Sequence, residues 1–210
     1  MTTDSDIKAV VFDLGRVLIN WEPEAFYDAQ IGEIRRKEFF ASVPIHETNL
    51  NVDRGYPFKE TIYALAADYP DWSQEIRWWH DRWLEMASPL IPYSERLLRA
   101  LKAKGIPVLA LTNFGAETFE IAMGEYDFLS EFDQAYVSGQ LKCIKPDAEI
   151  YQHLEDGSGW SGRALLFADD RPENIEAAAN RGWQTHLFTT PDGWAERLVA
   201  EGLLTQDEAQ

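Results

Sequence analysis

Three apolar runs in this chain end on residues that can do chemistry. "AVVFD" ends on Asp13, "LALTN" on Thr112 and Asn113, and "ALLFADD" on Asp169 and Asp170. A fourth stretch, "IKPD", carries Lys145 in a loop. Two carboxylates from separate strands, Asp13 and Asp170, form a hard-oxygen site suited to Mg2+, which keeps several waters and shares its ligands with phosphate. A lysine and a hydroxyl nearby would hold the remaining phosphate oxygens. Asp13 is already ionised at neutral pH, so it can attack phosphorus without a base and form an acyl phosphate that water hydrolyses. That attack meets a repulsion of about 4 kcal/mol per charge pair in a moderately polar site. Mg2+ and Lys145 would offset it. Each residue alone also fits a duller role. Strand-end acids cap helices, Thr112 and Asn113 can open a turn, and a loop lysine is commonly solvated.

Convergence is what favours chemistry, and it depends on the elements that carry these residues. Residues 7–13 form a continuous apolar run, as a strand buried on both faces requires. Further strands are expected at 106–113, 134–139, 164–170 and 184–188, with helices between them. Ser94 is expected to cap the helix carrying Leu97, Leu98 and Leu101, and a helix starting near Gly115 would aim free N–H groups at a bound anion. Strands alternating with helices imply a doubly wound α/β fold with a parallel sheet. In such sheets ligands bind beyond the carboxyl ends of the strands, where Asp13, Thr112, Asn113, Asp169 and Asp170 would all lie.

Between the first two strands the pattern is only helical. "SQEIRWWHDRWLEM" (73–86) places Ile76, Trp79, Trp83 and Met86 on one face, and 57–69 behaves similarly. Residues 20–89 therefore read as an inserted all-helical cap, and 1–19 with 90–210 as the α/β core.

Composition narrows the partners. With 19 Lys and Arg against 36 Asp and Glu, the net charge is −17. Such a surface repels nucleic acid and anionic membranes, but a small anionic substrate still fits a locally positive pocket. One cysteine, Cys143, excludes an internal disulfide and suits a reducing compartment. "MTTDSDIK" lacks the basic start and apolar core of a signal peptide, so a cytoplasmic protein is expected. Oligomeric state is left open, a homodimer included.

In this order, "VVFDLGRVL", "LALTN", "IKPD" and "FADDRPEN" resemble the four motifs of the haloacid dehalogenase superfamily, and the helical insert resembles its C1-type cap. The resemblance implies that Asp13 is the nucleophile and a Mg2+ ligand, joined by the Gly15 carbonyl and by Asp170. It implies that Thr112 and Asn113 hold the transferring phosphoryl group, and that Lys145 neutralises charge on it. Asn174 would act behind the metal or through water, and Asp169 would orient Asp170 or its waters.

Most phosphatases of that superfamily carry an aspartate two residues after the nucleophile, as general acid and then base; here Gly15 stands there. Three readings follow. The "DLG" form resembles the branch containing α-glucose-1-phosphatase, whose leaving oxygen needs less protonation. A 2-haloacid dehalogenase lacks the second aspartate too, although its fourth motif typically has Ser and Asn where this chain has Asp169 and Asp170. The third reading is a binding protein that has kept the fold. Arg54, in "NVDRGYPF", matches an acid-Arg-Gly stretch in the caps of this branch and would reach the substrate. Trp21 would wall the pocket and Arg16 its mouth, while His46 and His80 are candidate proton donors. Trp78, Trp79 and Trp83 fit the cap core.

Overall fold

A strand of four apolar residues, β1 (Ala9–Phe12), forms the middle of a five-stranded parallel sheet. The other strands are β2 (Val108–Thr112), β3 (Gln134–Val137), β4 (Leu165–Asp169) and β5 (Gln184–Leu187), and the order is β3-β2-β1-β4-β5. The computed structural model describes residues 6–210, so the first five residues of the acidic start lie outside it. Register is set by the apolar pattern: Val10 pairs with Val108 and Leu166, and Val11 with Leu109 and Phe167. Because side chains alternate across a strand, each face collects its own core. Val10, Phe12, Val108, Ala110, Leu166 and Ala168 pack in the cluster that contains α6 (Pro92–Ala103) and α11 (Pro191–Ala200). Ala9, Val11, Leu109, Leu111, Leu165 and Phe167 pack with α9 (Ala148–Ser158) and α10 (Pro172–Asn180). The three central strands are wholly buried, as the continuous apolar runs require. The edge strands β3 and β5 keep polar residues and partial exposure.

Between β1 and β2 the chain is helical: α1 (Pro23–Ser42), α2 (Ile45–Asp53), α3 (Phe58–Asp68), α4 (Ser73–Asp81) and α5 (Trp83–Met86). Trp79, Ile76, Tyr27, Phe39 and Phe58 fill this layer, with the Tyr27 ring 5.0 Å from Phe39 and 6.2 Å from Trp79. Each such side chain stabilises the fold by about 1.5–3 kcal/mol. The two connections to the sheet lie side by side. The Asn20 N–H donates to the Pro89 carbonyl at 3.0 Å, and the Ile91 N–H to the Leu18 carbonyl at 2.7 Å. Among the described residues, no helix is long and apolar enough to cross a membrane.

Two local expectations are corrected. The helix expected over 73–86 breaks at Arg82, where φ −126° and ψ 26° leave the helical region. The Arg82 guanidinium is held there by Glu85 and by Gln30. Ser94 does not cap α6. Pro92 already occupies the first turn behind Ile91, and Ser94 lies inside the helix, buried, with its hydroxyl unpartnered.

The insert meets the core where α7 (Ala116–Glu125) begins. A Cβ on Gly139 would run into the Ala116 nitrogen and stand 2.7 Å from the Gly115 carbonyl carbon. A Cβ on Gly115 would lie 2.6 Å from Val52 Cγ1. Only glycine lets these backbones approach so closely, and the approach brings the last residues of α2 over the end of the sheet.

Candidate active site

β1 and β4 end beside each other, so their terminal acids share one sheet edge. Oxygen atoms of Asp13, Asp169 and Asp170 lie within 4.8 Å of one another. The Asp13 N–H continues the ladder to the Ala168 carbonyl at 2.9 Å, and one carboxylate oxygen accepts the Leu14 N–H at 2.7 Å. Lys145 crosses from its loop into this cluster. Its Nζ lies 2.9 Å from Asp13 and 2.6 Å from Asp169, with the lysine only 2% exposed. The loop is latched from both sides by Asn113, whose Nδ2 donates to the Lys145 carbonyl at 3.0 Å and whose Oδ1 accepts the Lys145 N–H at 2.8 Å. Sequence reasoning gave Asn113 to the phosphoryl group; both ends of its amide are engaged with Lys145.

Asp169 is fully buried. Besides Lys145 it accepts the Arg171 N–H at 2.8 Å and both contacts of the Asn174 amide at 3.0 Å. It therefore orients Lys145 and is itself held by Asn174. The expectation that it would orient Asp170 finds no such contact.

Charge in this cluster is unevenly balanced. Burial pushes the Asp13 carboxyl up to about 7, opposed by Lys145 and reinforced by Asp169 and Asp170. For Lys145, burial alone would lower the pKa, but the Asp13 and Asp169 carboxylates outweigh it and the ammonium is held above its usual value. Asp170 is half-buried and also raised, first by burial and then by Asp169, with Arg16 pulling the other way.

A cavity of about 470 Å3 opens over these residues. Asp13, Gly15, Thr112, Asn113, Lys145, Asp170 and Asn174 line its floor, together with Arg16 and Trp21. Thr112 lines it too, with its hydroxyl buried and without a partner, and a buried hydroxyl with no partner costs free energy unless a ligand satisfies it. The helical layer supplies the roof, with Trp79, Trp83, Leu50, His46, Asn49 and Asp53. Trp21 packs against Trp79 and Trp83 at 5.7 and 6.1 Å. Trp79 and Trp83 are thus both core of the insert and wall of the cavity. Arg54 is exposed and is not among the lining residues; its neighbour Asp53 is. His80 lies elsewhere, bonded to Asp81 at 2.7 Å.

Asp53 and Asn49, both in the roof, were missed by sequence reasoning. For Asp53 one signal existed: a carboxylate in the last turn of a helix opposes the macrodipole, so an acid ending α2 needs another reason to be there.

Comparison with known proteins agrees with this fold. A family model described as haloacid dehalogenase-like hydrolase matches residues 7–182. The sesquiterpene phosphatase astK of Aspergillus oryzae is 28% identical over 81% of this chain and 84% of its own. The drimenol cyclase drtB of Aspergillus calidoustus is 25% identical over 92% of this chain, which spans only 36% of that relative's length. An (S)-2-haloacid dehalogenase of Pseudomonas fluorescens is 27% identical over 58% of this chain and 55% of its own. Among solved structures, a HAD family enzyme of Bacteroides thetaiotaomicron, bt-2542, superposes with a TM-score of 0.71 at 22% identity, covering 91% of this chain and 98% of that one. The same enzyme has been crystallised in complex with magnesium and inorganic phosphate.

Proposed function

We propose, for a chain that belongs to the haloacid dehalogenase-like hydrolase family, that it is a Mg2+-dependent phosphatase working on a small phosphate ester through an aspartyl-phosphate on Asp13. The observation that carries this reading is the meeting of Asp13, Lys145 and Asp170 below an unpartnered Thr112 hydroxyl. Asp13 presents an oxygen for in-line attack on phosphorus. Lys145, fixed by Asp169 and by the Asn113 latch, neutralises charge on the nucleophile and on the phosphoryl oxygens. Thr112 donates to one of those oxygens. The donor set fits a hard divalent cation: carboxylates of Asp13 and Asp170, with Gly15 and Asn174 lining the same cavity. When bound there, Mg2+ supplies neutralisation of the phosphate and of the paired acids. Residues 20–89 act as the cap, whose Trp79 and Trp83 exclude water from the reacting centre.

The haloacid dehalogenase relative supports a second reading, in which Asp13 attacks carbon and halide leaves. Against it stand Asp169 and Asp170, since three carboxylates round one lysine repel a carboxylate substrate. One assay separates the two. Phosphorylated sugars and other phosphate esters, and 2-chloropropionate, are each incubated with Mg2+ or with EDTA. Phosphate release that EDTA abolishes is expected. Chloride release that survives EDTA, without phosphate release, would establish the second reading.

A further inference from the structure

Breaking a phosphate ester of an ordinary alcohol expels a strongly basic alkoxide, so a positioned acid speeds the step by about 10²–10⁴-fold. Several groups on the cavity floor cannot serve. Gly15 has no side chain. The Lys145 ammonium is locked between two carboxylates, and its pKa is held above the usual lysine value, by charge that outweighs burial. His46 lies exposed at the roof edge-on to Phe40 and Trp79, and partial burial lowers its pKa, which disfavours the imidazolium that would donate.

We infer that Asp53, reaching the cavity from the end of α2, gives its proton to the leaving oxygen and then takes one from the hydrolytic water. This rests on the phosphatase reading above. Asp53 is 9% exposed and lines the same cavity as Asp13, Thr112 and Asp170. Its place is fixed rather than flexible: Asn49 Nδ2 donates to one carboxyl oxygen at 3.1 Å, and the neighbouring Val52 packs on Gly115. No ammonium or guanidinium among the described residues forms an ion pair with it, unlike Asp13 and Asp169. Burial pushes it up to about 8; the Gly115 N–H, Arg54 and Asn49 pull the other way, and Asp13 adds a further upward push. It therefore holds a proton at neutral pH, as a general acid must.

The steps balance. As an Asp13 oxygen bonds to phosphorus, the ester P–O bond breaks, and its electron pair takes the Asp53 proton to give the free alcohol. The Asp53 carboxylate then accepts a proton from the water attacking the aspartyl-phosphate. The phosphorus–Asp13 bond breaks, phosphate leaves, and both acids return to their starting states.

The test compares leaving groups. In Asp53→Asn, kcat/KM for an alkyl phosphate should fall by about 10²–10³-fold, while that for 4-nitrophenyl phosphate, whose phenolate needs no proton, should change by only a few-fold. A merely structural role would lower both together, and that result, or no loss on either, overturns the inference. If Asp53→Asn does not fold, a set of aryl and alkyl phosphates on the unaltered protein decides. A shallow dependence of kcat/KM on leaving-group pKa supports a proton donor, and a steep one excludes it. Failure of the unaltered protein to release phosphate from any ester would overturn the phosphatase reading, and this inference with it.

Discussion

Asp13→Asn is expected to lower phosphate release by about 10⁴-fold or more, with the fold intact. The amide matches the carboxylate in shape, so the Leu14 N–H keeps its acceptor. It cannot form an acyl phosphate, and it no longer neutralises Lys145 from the cavity side. The pH dependence of stability should change too. In the folded protein Asp13 is raised from an ordinary 3.8 to about 7, chiefly by burial. A carboxyl raised in this way makes folding less favourable as pH climbs from its unfolded to its folded value. The variant lacks that penalty, so between pH 4 and 7, in EDTA, its urea midpoint should fall less with rising pH than that of the parent. Activity that survived within tenfold would mean that Asp13 is not the nucleophile.

Lys145→Met is expected to be the most damaging single change to stability. Lys145 is 1% exposed at its side chain and bonds two buried carboxylates at 2.9 and 2.6 Å. Removing one partner of a buried ionic group costs about 3–5 kcal/mol, because the other charges are left unpaired. Asp169 keeps the Arg171 N–H and the Asn174 amide, while Asp13 keeps little beyond the Leu14 N–H. The sign with pH follows. Without the ammonium both acids ionise with more difficulty in the folded state, so the deficit is largest at pH 8 and shrinks as pH falls toward 4 and they take up protons. Urea unfolding at both pH values checks this. Equal deficits would mean that lost packing against Phe167, which lies 5.4 Å from the ammonium, outweighs lost charge. Phosphate release should fall by about 10²-fold or more at either pH, since the nucleophile and the phosphoryl oxygens lose the same counter-charge.

The floor of this site was legible because strand chemistry and site chemistry coincide. An apolar run of period-free residues must be a strand buried on both faces, and a charged residue directly after it can only emerge at the sheet edge. That reasoning reaches Asp13, Thr112 and Asp170 from types and order alone, and the structure gathers them. Asp169 was read less well. From sequence it is one of two adjacent acids, and nothing local says that the strand's alternation turns it inward to Lys145 while Asp170 faces the cavity. The roof was barely legible. α2 touches the sheet edge through contacts between residues far apart in sequence, Val52 on Gly115 among them, and no periodicity encodes such a meeting. Arg54 was singled out by its place in an acid-Arg-Gly stretch, yet it is the acid of that stretch, Asp53, that lines the cavity. Helix ends were misread for a related reason: the choice between Ser94 and Pro92 at the start of α6 was decided by how Ile91 joins the antiparallel connection beside Leu18, a tertiary contact.

The most direct measurement is a crystal of the unaltered protein grown with Mg2+ and beryllium fluoride, a mimic of the phosphoryl group on a carboxylate. The expected result is density continuous with a carboxylate oxygen of Asp13, close to Thr112 and Lys145, with a cation shared by Asp13 and Asp170. Density absent from Asp13, or a cation bound without Asp170, would contradict phosphoryl transfer through this residue.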